Sequence, residues 1–107
     1  MELIEKNIKK INELCEKHNV SELYVFGSIV TPNFNKESDV DFLVDFDQID
    51  VFNYADNYFD LKFALEYILK KKIDLLEKKA LKNPYLKKSI DSSKKLIYGR
   101  RDKNLAV

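Results

Sequence analysis

Two aspartates one residue apart, Asp39 and Asp41, open an apolar run, and ten residues before them a Gly27-Ser28 pair interrupts another. On a strand, residues two apart share a face and lie about 7 Å apart at Cα, so both carboxylates can address one divalent ion or bridge two. Magnesium suits such a pair: it takes one or two carboxylates and completes its shell with water and substrate phosphates. Gly27 offers a backbone that a phosphate can approach closely, and Ser28 with the amides after it opens a short helix, an anion site. A third carboxylate, Asp74, sits in the apolar run Lys72-Ile73-Asp74-Leu75-Leu76. If that run pairs with the strand under Asp41, Asp74 completes a three-Asp set. It could then ligate a second ion and help to take a proton from an attacking hydroxyl. The chemistry implied is phosphoryl or nucleotidyl transfer at a metal–nucleoside triphosphate site.

The parts differ in weight. An Asp-x-Asp pair in an Asp-rich chain is common, and alone it reads as solvated strand-end acid. Gly-Ser followed after ten residues by Asp-x-Asp is rarer, on the order of once in a thousand chains of this length at ordinary residue usage. Asp74 alone is the weakest signal and gains from its two partners.

Elements must hold these groups in place. Residues 2–18 carry Leu3, Ile4, Ile8, Ile11, Leu14 and Cys15 at helical spacing, an amphipathic helix with Cys15 buried and His18 at its end as a cap or surface residue. Ser21–Phe26 is a β-rich, nearly continuous apolar run that suits a buried strand. After Gly27-Ser28, Ile29–Pro32 makes one helical turn and Pro32–Asn35 reads as loop. In Val40–Phe46, Val40, Phe42, Val44 and Phe46 share one face, and Asp39, Asp41, Leu43 and Asp45 the other. Asp50 is a candidate N-cap for a helix over 51–70. That helix carries six aromatics, more than one buried stripe requires, so part of it could dock another helix or a nucleobase. Lys72–Leu76 is a third strand. Residues 80–98 read as a closing helix with Pro84 in its first turn, and Gly99 opens a basic tail. The order α-β-α-β-α-β-α predicts an α/β (α+β) fold with a small mixed sheet of three or four strands layered with helices. Residues 1–98 would form the domain and 99–107 the tail.

At 107 residues the chain is a single domain with one modest core. Nineteen Lys+Arg against eighteen Asp+Glu leave the net charge near zero, but the distribution is uneven. Residues 37–66 hold nine acids against Lys62, and 70–103 hold thirteen Lys/Arg against four acids. The near-neutral balance, without aromatic–basic interleaving, argues against nucleic acid as partner. One cysteine forbids an internal disulfide, and no Cys/His cluster suggests zinc. No signal-like segment and no 18-residue apolar run occurs, which predicts a soluble, cytoplasmic protein without membrane contact.

Phe26-Gly27-Ser28, ten residues, then Ser38-Asp39-Val40-Asp41-Phe42-Leu43-Val44 resembles the minimal nucleotidyltransferases of the polymerase-beta superfamily. Lys72–Leu76 stands where that family carries its third carboxylate, and Leu81…Pro84…Ile90…Tyr98 resembles its closing helix. The resemblance spans nearly the whole chain. It implies the polymerase-beta-like fold, with Asp39, Asp41 and Asp74 as metal-binding catalytic residues, Gly27 and Ser28 on the triphosphate, two magnesium ions, and ATP as substrate. It also implies a partner: members this short act as antitoxins of type VII kind beside a HEPN ribonuclease toxin, moving AMP from ATP to a toxin tyrosine. The chain departs from the pattern at Ile29 and Pro32, where many relatives carry arginine and glycine. Lys70, Lys71, Lys72, Lys78 and Lys79 are the candidates to supply the replaced cation.

Two rival functions remain open on the sequence: a binding module that neutralises a toxin by contact alone, and nucleotidyl transfer to a small molecule or RNA. Relatives with small-molecule acceptors carry extra domains for them. A homo-oligomer is also open, since nothing in the sequence sets the oligomeric state.

Overall fold

The computed structural model describes residues 1–99. Four strands form one sheet: β1 (Val20–Phe26), β2 (Val40–Phe46), β3 (Ile73–Glu77) and β4 (Lys95–Gly99), in the order β3-β2-β1-β4. β1 pairs antiparallel with both β2 and β4, whereas β2 and β3 are parallel. A parallel pair needs a long crossover, and α3 (Tyr54–Leu69) supplies it. Two helices at the N-terminus, α1 (Glu2–Lys6) and α2 (Ile8–Lys17), and α4 (Pro84–Ser93) complete the described chain. The mixed α+β architecture agrees with the expected fold.

The core lies on one face of the sheet. Leu23 and Val25 of β1, Val40, Phe42 and Val44 of β2, and Ile73 and Leu75 of β3 pack with Ile11 and Cys15 of α2 and Leu61, Leu65 and Leu69 of α3. The period-2 pattern of β2 is what divides its faces, and the expected buried set Val40, Phe42, Val44 and Phe46 is buried. Paired residues share a face, so the opposite face carries Glu22, Tyr24 and Phe26 beside Asp45, Leu43 and Asp41. On β3, Asp74 and Leu76 continue two of those rows. Leu43 is buried even there.

β1 and β3 lie within a residue of expectation, and the helices differ more. The N-terminal helix breaks at Asn7, whose side-chain amide donates to the Leu3 carbonyl in place of a helical continuation. α3 begins at Tyr54, not 51, because Asp50 accepts the Phe52 N–H in a turn and so does not cap the helix. α4 begins at Pro84, where Asn83 Oδ1 accepts from the Tyr85 and Leu86 amides. It stops at Ser93, and Lys95–Gly99 forms a fourth strand against β1. Gly99 is therefore a strand residue paired with Glu22, and residues 100–107 of the expected tail lie outside the described residues. His18, expected as a cap or surface residue, is the C-cap of α2 but buried, its Nδ1 2.8 Å from the Leu14 carbonyl.

The aromatics of α3 divide by function. Tyr54 donates to Glu77 and Tyr58 to the Leu75 carbonyl, tying the helix to β3. Phe52, Phe59, Phe63 and Tyr67 are exposed, with Phe59 and Phe63 stacked at 5.9 Å.

Candidate active site

β1 ends where β2 begins, and this antiparallel pairing sets Phe26 opposite Asp41. Gly27 follows with φ +78°, a backbone that an L side chain adopts only with strain. A Cβ built on Gly27 would fall 2.2 Å from Asp41 Oδ2. The glycine is thus required twice, by its dihedral and by the carboxylate against it. The chain then makes one 3-10 turn over Gly27–Val30, two residues earlier than the turn expected over Ile29–Pro32. Ile29 is buried in the core, so the position after Gly-Ser serves packing.

The parallel pairing of β2 with β3 sets Asp74 directly beside Asp41, one strand spacing away (about 4.8 Å) and on the same face. Asp39 precedes β2 and is exposed, as is Asp74, while Asp41 is half-buried. Burial, then the charge of Asp74, then that of Asp39 push the Asp41 carboxyl above its ordinary value. A cation beside Asp41 would offset that opposition to its charge. Among the described residues no group of three or more Asp, Glu, His or Cys side chains is placed to hold a metal ion as it stands. The arrangement is open to solvent on the Asp39 and Asp74 side.

Between the 3-10 turn and Asp39, residues 31–38 are held by their own polar side chains. Thr31 Oγ1 donates to the Ser28 carbonyl at 2.7 Å and accepts the Asn33 amide. Asn35 Oδ1 accepts the Glu37 amide, and Ser38 Oγ accepts that of Asn35. Lys71 closes the loop from outside: its ammonium donates to the carbonyls of Asn35, Lys36 and Ser38 at 3.1, 2.9 and 2.9 Å. It also lies 4.8 Å from the Phe34 ring centroid. Val40 N–H donates to the Lys72 carbonyl, which fixes the start of β2 on the approach to β3.

Sequence reasoning named Gly27, Ser28, Asp39, Asp41 and Asp74, and the fold brings the strands and turn that carry them to one end of the sheet. It missed Lys71 as a loop anchor; within the run Lys70-Lys71-Lys72 nothing distinguishes it. Of the five lysines expected to supply a cation, three have structural engagements. Lys71 binds the loop, Lys78 pairs with Glu22 at 3.2 Å, and Lys79 donates to the Phe46 carbonyl and lies 3.6 Å from Asp45. Lys70 and Lys72 are exposed.

The family model "Polymerase beta, Nucleotidyltransferase" matches residues 9–103. The chain belongs to the polymerase beta nucleotidyltransferase family. Among the relatives of this nucleotidyltransferase is a Methanocaldococcus jannaschii protein named "Putative protein adenylyltransferase MJ1379", 40% identical over 101 residues, covering 87% of this chain and 98% of the relative. A crystal structure of a toxin–antitoxin with AMP-PNP shares the fold at a TM-score of 0.68 and 23% identity, covering 92% of this chain and 79% of the other. So does a chain from a complex of tri-AMPylated Shewanella oneidensis HEPN toxin with MNT antitoxin, at 0.63 and 20%, covering 95% and 77%.

Proposed function

We propose that this nucleotidyltransferase moves AMP from ATP to a hydroxyl of a HEPN-type toxin, a tyrosine hydroxyl by the family resemblance, and so acts as the toxin's antitoxin. The observation that carries the reading is the register Phe26–Asp41–Asp74 across β1, β2 and β3, with Gly27 fitted against the Asp41 carboxylate. The name of the M. jannaschii relative supports protein as the acceptor. The AMP-PNP complex and the AMPylated toxin support ATP as donor and a HEPN protein as partner. ATP as substrate supports a cytoplasmic location; no described helix is long and apolar enough to cross a membrane.

The chemistry of the donors suits magnesium: Asp39, Asp41 and Asp74 offer only oxygen, Asp41 and Asp74 are paired across β2 and β3, and the Asp41 carboxyl has neighbours that oppose its ionisation. Asp39 and Asp41 would hold the metal, with Asp74 beside a second ion. Bound there, magnesium would neutralise charge on the triphosphate and on the departing pyrophosphate. Gly27 leaves room for the triphosphate to approach the backbone, and Ser28 with the amides of the turn offers donors to it. Asp74 takes the proton of the acceptor hydroxyl as its oxygen bonds to the α-phosphorus. The bond from that phosphorus to the β-phosphate oxygen breaks, and pyrophosphate leaves with its electron pair. The test uses ATP labelled at either the α or the γ phosphate, with magnesium and a HEPN protein as acceptor. Label from α alone supports AMP transfer; label from γ would show phosphorylation instead and overturn the reading.

One observation favours a second reading, neutralisation by contact: Phe59, Phe63 and Tyr67 of α3 are exposed at four-residue spacing, and Phe52 just before the helix is exposed too. Full protection against the toxin by an Asp39→Asn/Asp41→Asn double variant would establish contact over catalysis.

A further inference from the structure

Lys71 is half-buried, with its ammonium held by one loop. An ammonium has three N–H donors, and here all three are spent on backbone carbonyls, those of Asn35, Lys36 and Ser38, within 3.1 Å. The Phe34 ring lies 4.8 Å away and adds a cation–π contact. The three carbonyls belong to the loop that joins the Gly27-Ser28 turn to Asp39. The Ser38 carbonyl shares its peptide group with the amide of Asp39, so the contact acts one bond from that residue. Lys71 itself stands three residues before Asp74, and the next residue, Lys72, accepts the Val40 amide. A single side chain therefore joins the loop below Asp39 to the start of the strand that carries Asp74, beside the rung where Asp41 meets Asp74.

We propose that Lys71 is a positioning residue for the metal-binding carboxylates: it fixes Asp39 relative to Asp41 and Asp74 so that the three act on one site. The inference rests on the proposed nucleotidyl transfer for its kinetic readout, but not for its binding readout. Without the ammonium, three converging carbonyls repel one another and the loop relaxes outward, carrying Asp39 with it. Arginine is a poor substitute, because its flat fork does not match three carbonyls converging on a tetrahedral nitrogen.

The test compares wild type, Lys71→Met, Lys71→Arg and Phe34→Leu. Manganese(II) binding to the nucleotide-free protein, read by electron paramagnetic resonance, should weaken about tenfold in Lys71→Met and by a smaller factor in Lys71→Arg and Phe34→Leu. In the transfer assay the magnesium concentration for half-maximal rate should rise by a similar factor, with kcat at saturating magnesium within about threefold of wild type. A merely structural lysine would lower Tm and leave both curves in place below Tm, and that result overturns the proposal. If Lys71→Met does not fold, Phe34→Leu and Lys71→Arg decide it by the same two curves. If wild type itself transfers no AMP, the functional reading falls, while the manganese series still judges the role of Lys71.

Discussion

At the scale of residues, the site is defined by what two positions exclude. Gly27 has a positive φ and stands where a Cβ would meet Asp41 Oδ2 at 2.2 Å. Gly27→Ala should therefore lose transfer activity and cost roughly 1–2 kcal/mol of stability for the left-handed backbone alone, read by urea unfolding. Asp41 carries the opposite tension. Burial and the charges of Asp74 and Asp39 raise its carboxyl above the ordinary value near 3.8. A carboxyl that holds its proton more tightly when folded costs stability above that ordinary pKa, and the cost is relieved as pH falls through the raised value. Asp41→Asn removes the repulsion at neutral pH. In EDTA it should melt a few degrees above wild type, while magnesium should raise the Tm of wild type and leave the variant unmoved. At this residue burial and the like charges of Asp74 and Asp39 hold an ionised carboxylate at a cost to stability.

The elements show what could be read in the chain and what could not. β2 was legible because Val40, Phe42, Val44 and Phe46 alternate with Asp41, Leu43 and Asp45, and the fold keeps that alternation except at Leu43, which is buried as well. The Gly27 turn was legible because an apolar strand ends on glycine. β4 was not: Ile90, Leu96 and Ile97 fit a helical stripe, and the strand forms because β1 offers Leu23–Val25 as a free edge for Lys95–Tyr98. The carboxylate half of the site was visible as residue types, but the register joining Asp41 to Asp74 depends on a crossover that no local pattern encodes. α3 holds that register through Tyr54 and Tyr58, whose hydroxyls bond Glu77 and the Leu75 carbonyl on the strand carrying Asp74. Tyr58→Phe should lower stability by about 1 kcal/mol in urea unfolding and reduce the transfer rate more than stability alone explains.

For the whole molecule, the core occupies one face of a four-stranded sheet. α2 and α3 cover one face with aliphatic side chains, which leaves the other to carry Asp41 and Asp74 in ordered rows. Cys15 reports on the covered face. It is fully buried, and burial with the charge of Glu16 pushes its thiol up to about 12. Because the thiolate is the reactive form, iodoacetamide at pH 8 should leave the native protein unmodified and alkylate it only in denaturant. On the other face, the central claim is that the carboxylates at the end of the sheet support transfer of AMP to a partner protein. The most direct measurement is incorporation of α-labelled ATP into the HEPN partner by wild type and by Asp39→Ala, each with magnesium and with EDTA. The predicted result is label from wild type with magnesium alone, and a loss of at least a hundredfold in the variant; equal labelling by Asp39→Ala, or labelling undiminished in EDTA, would contradict it.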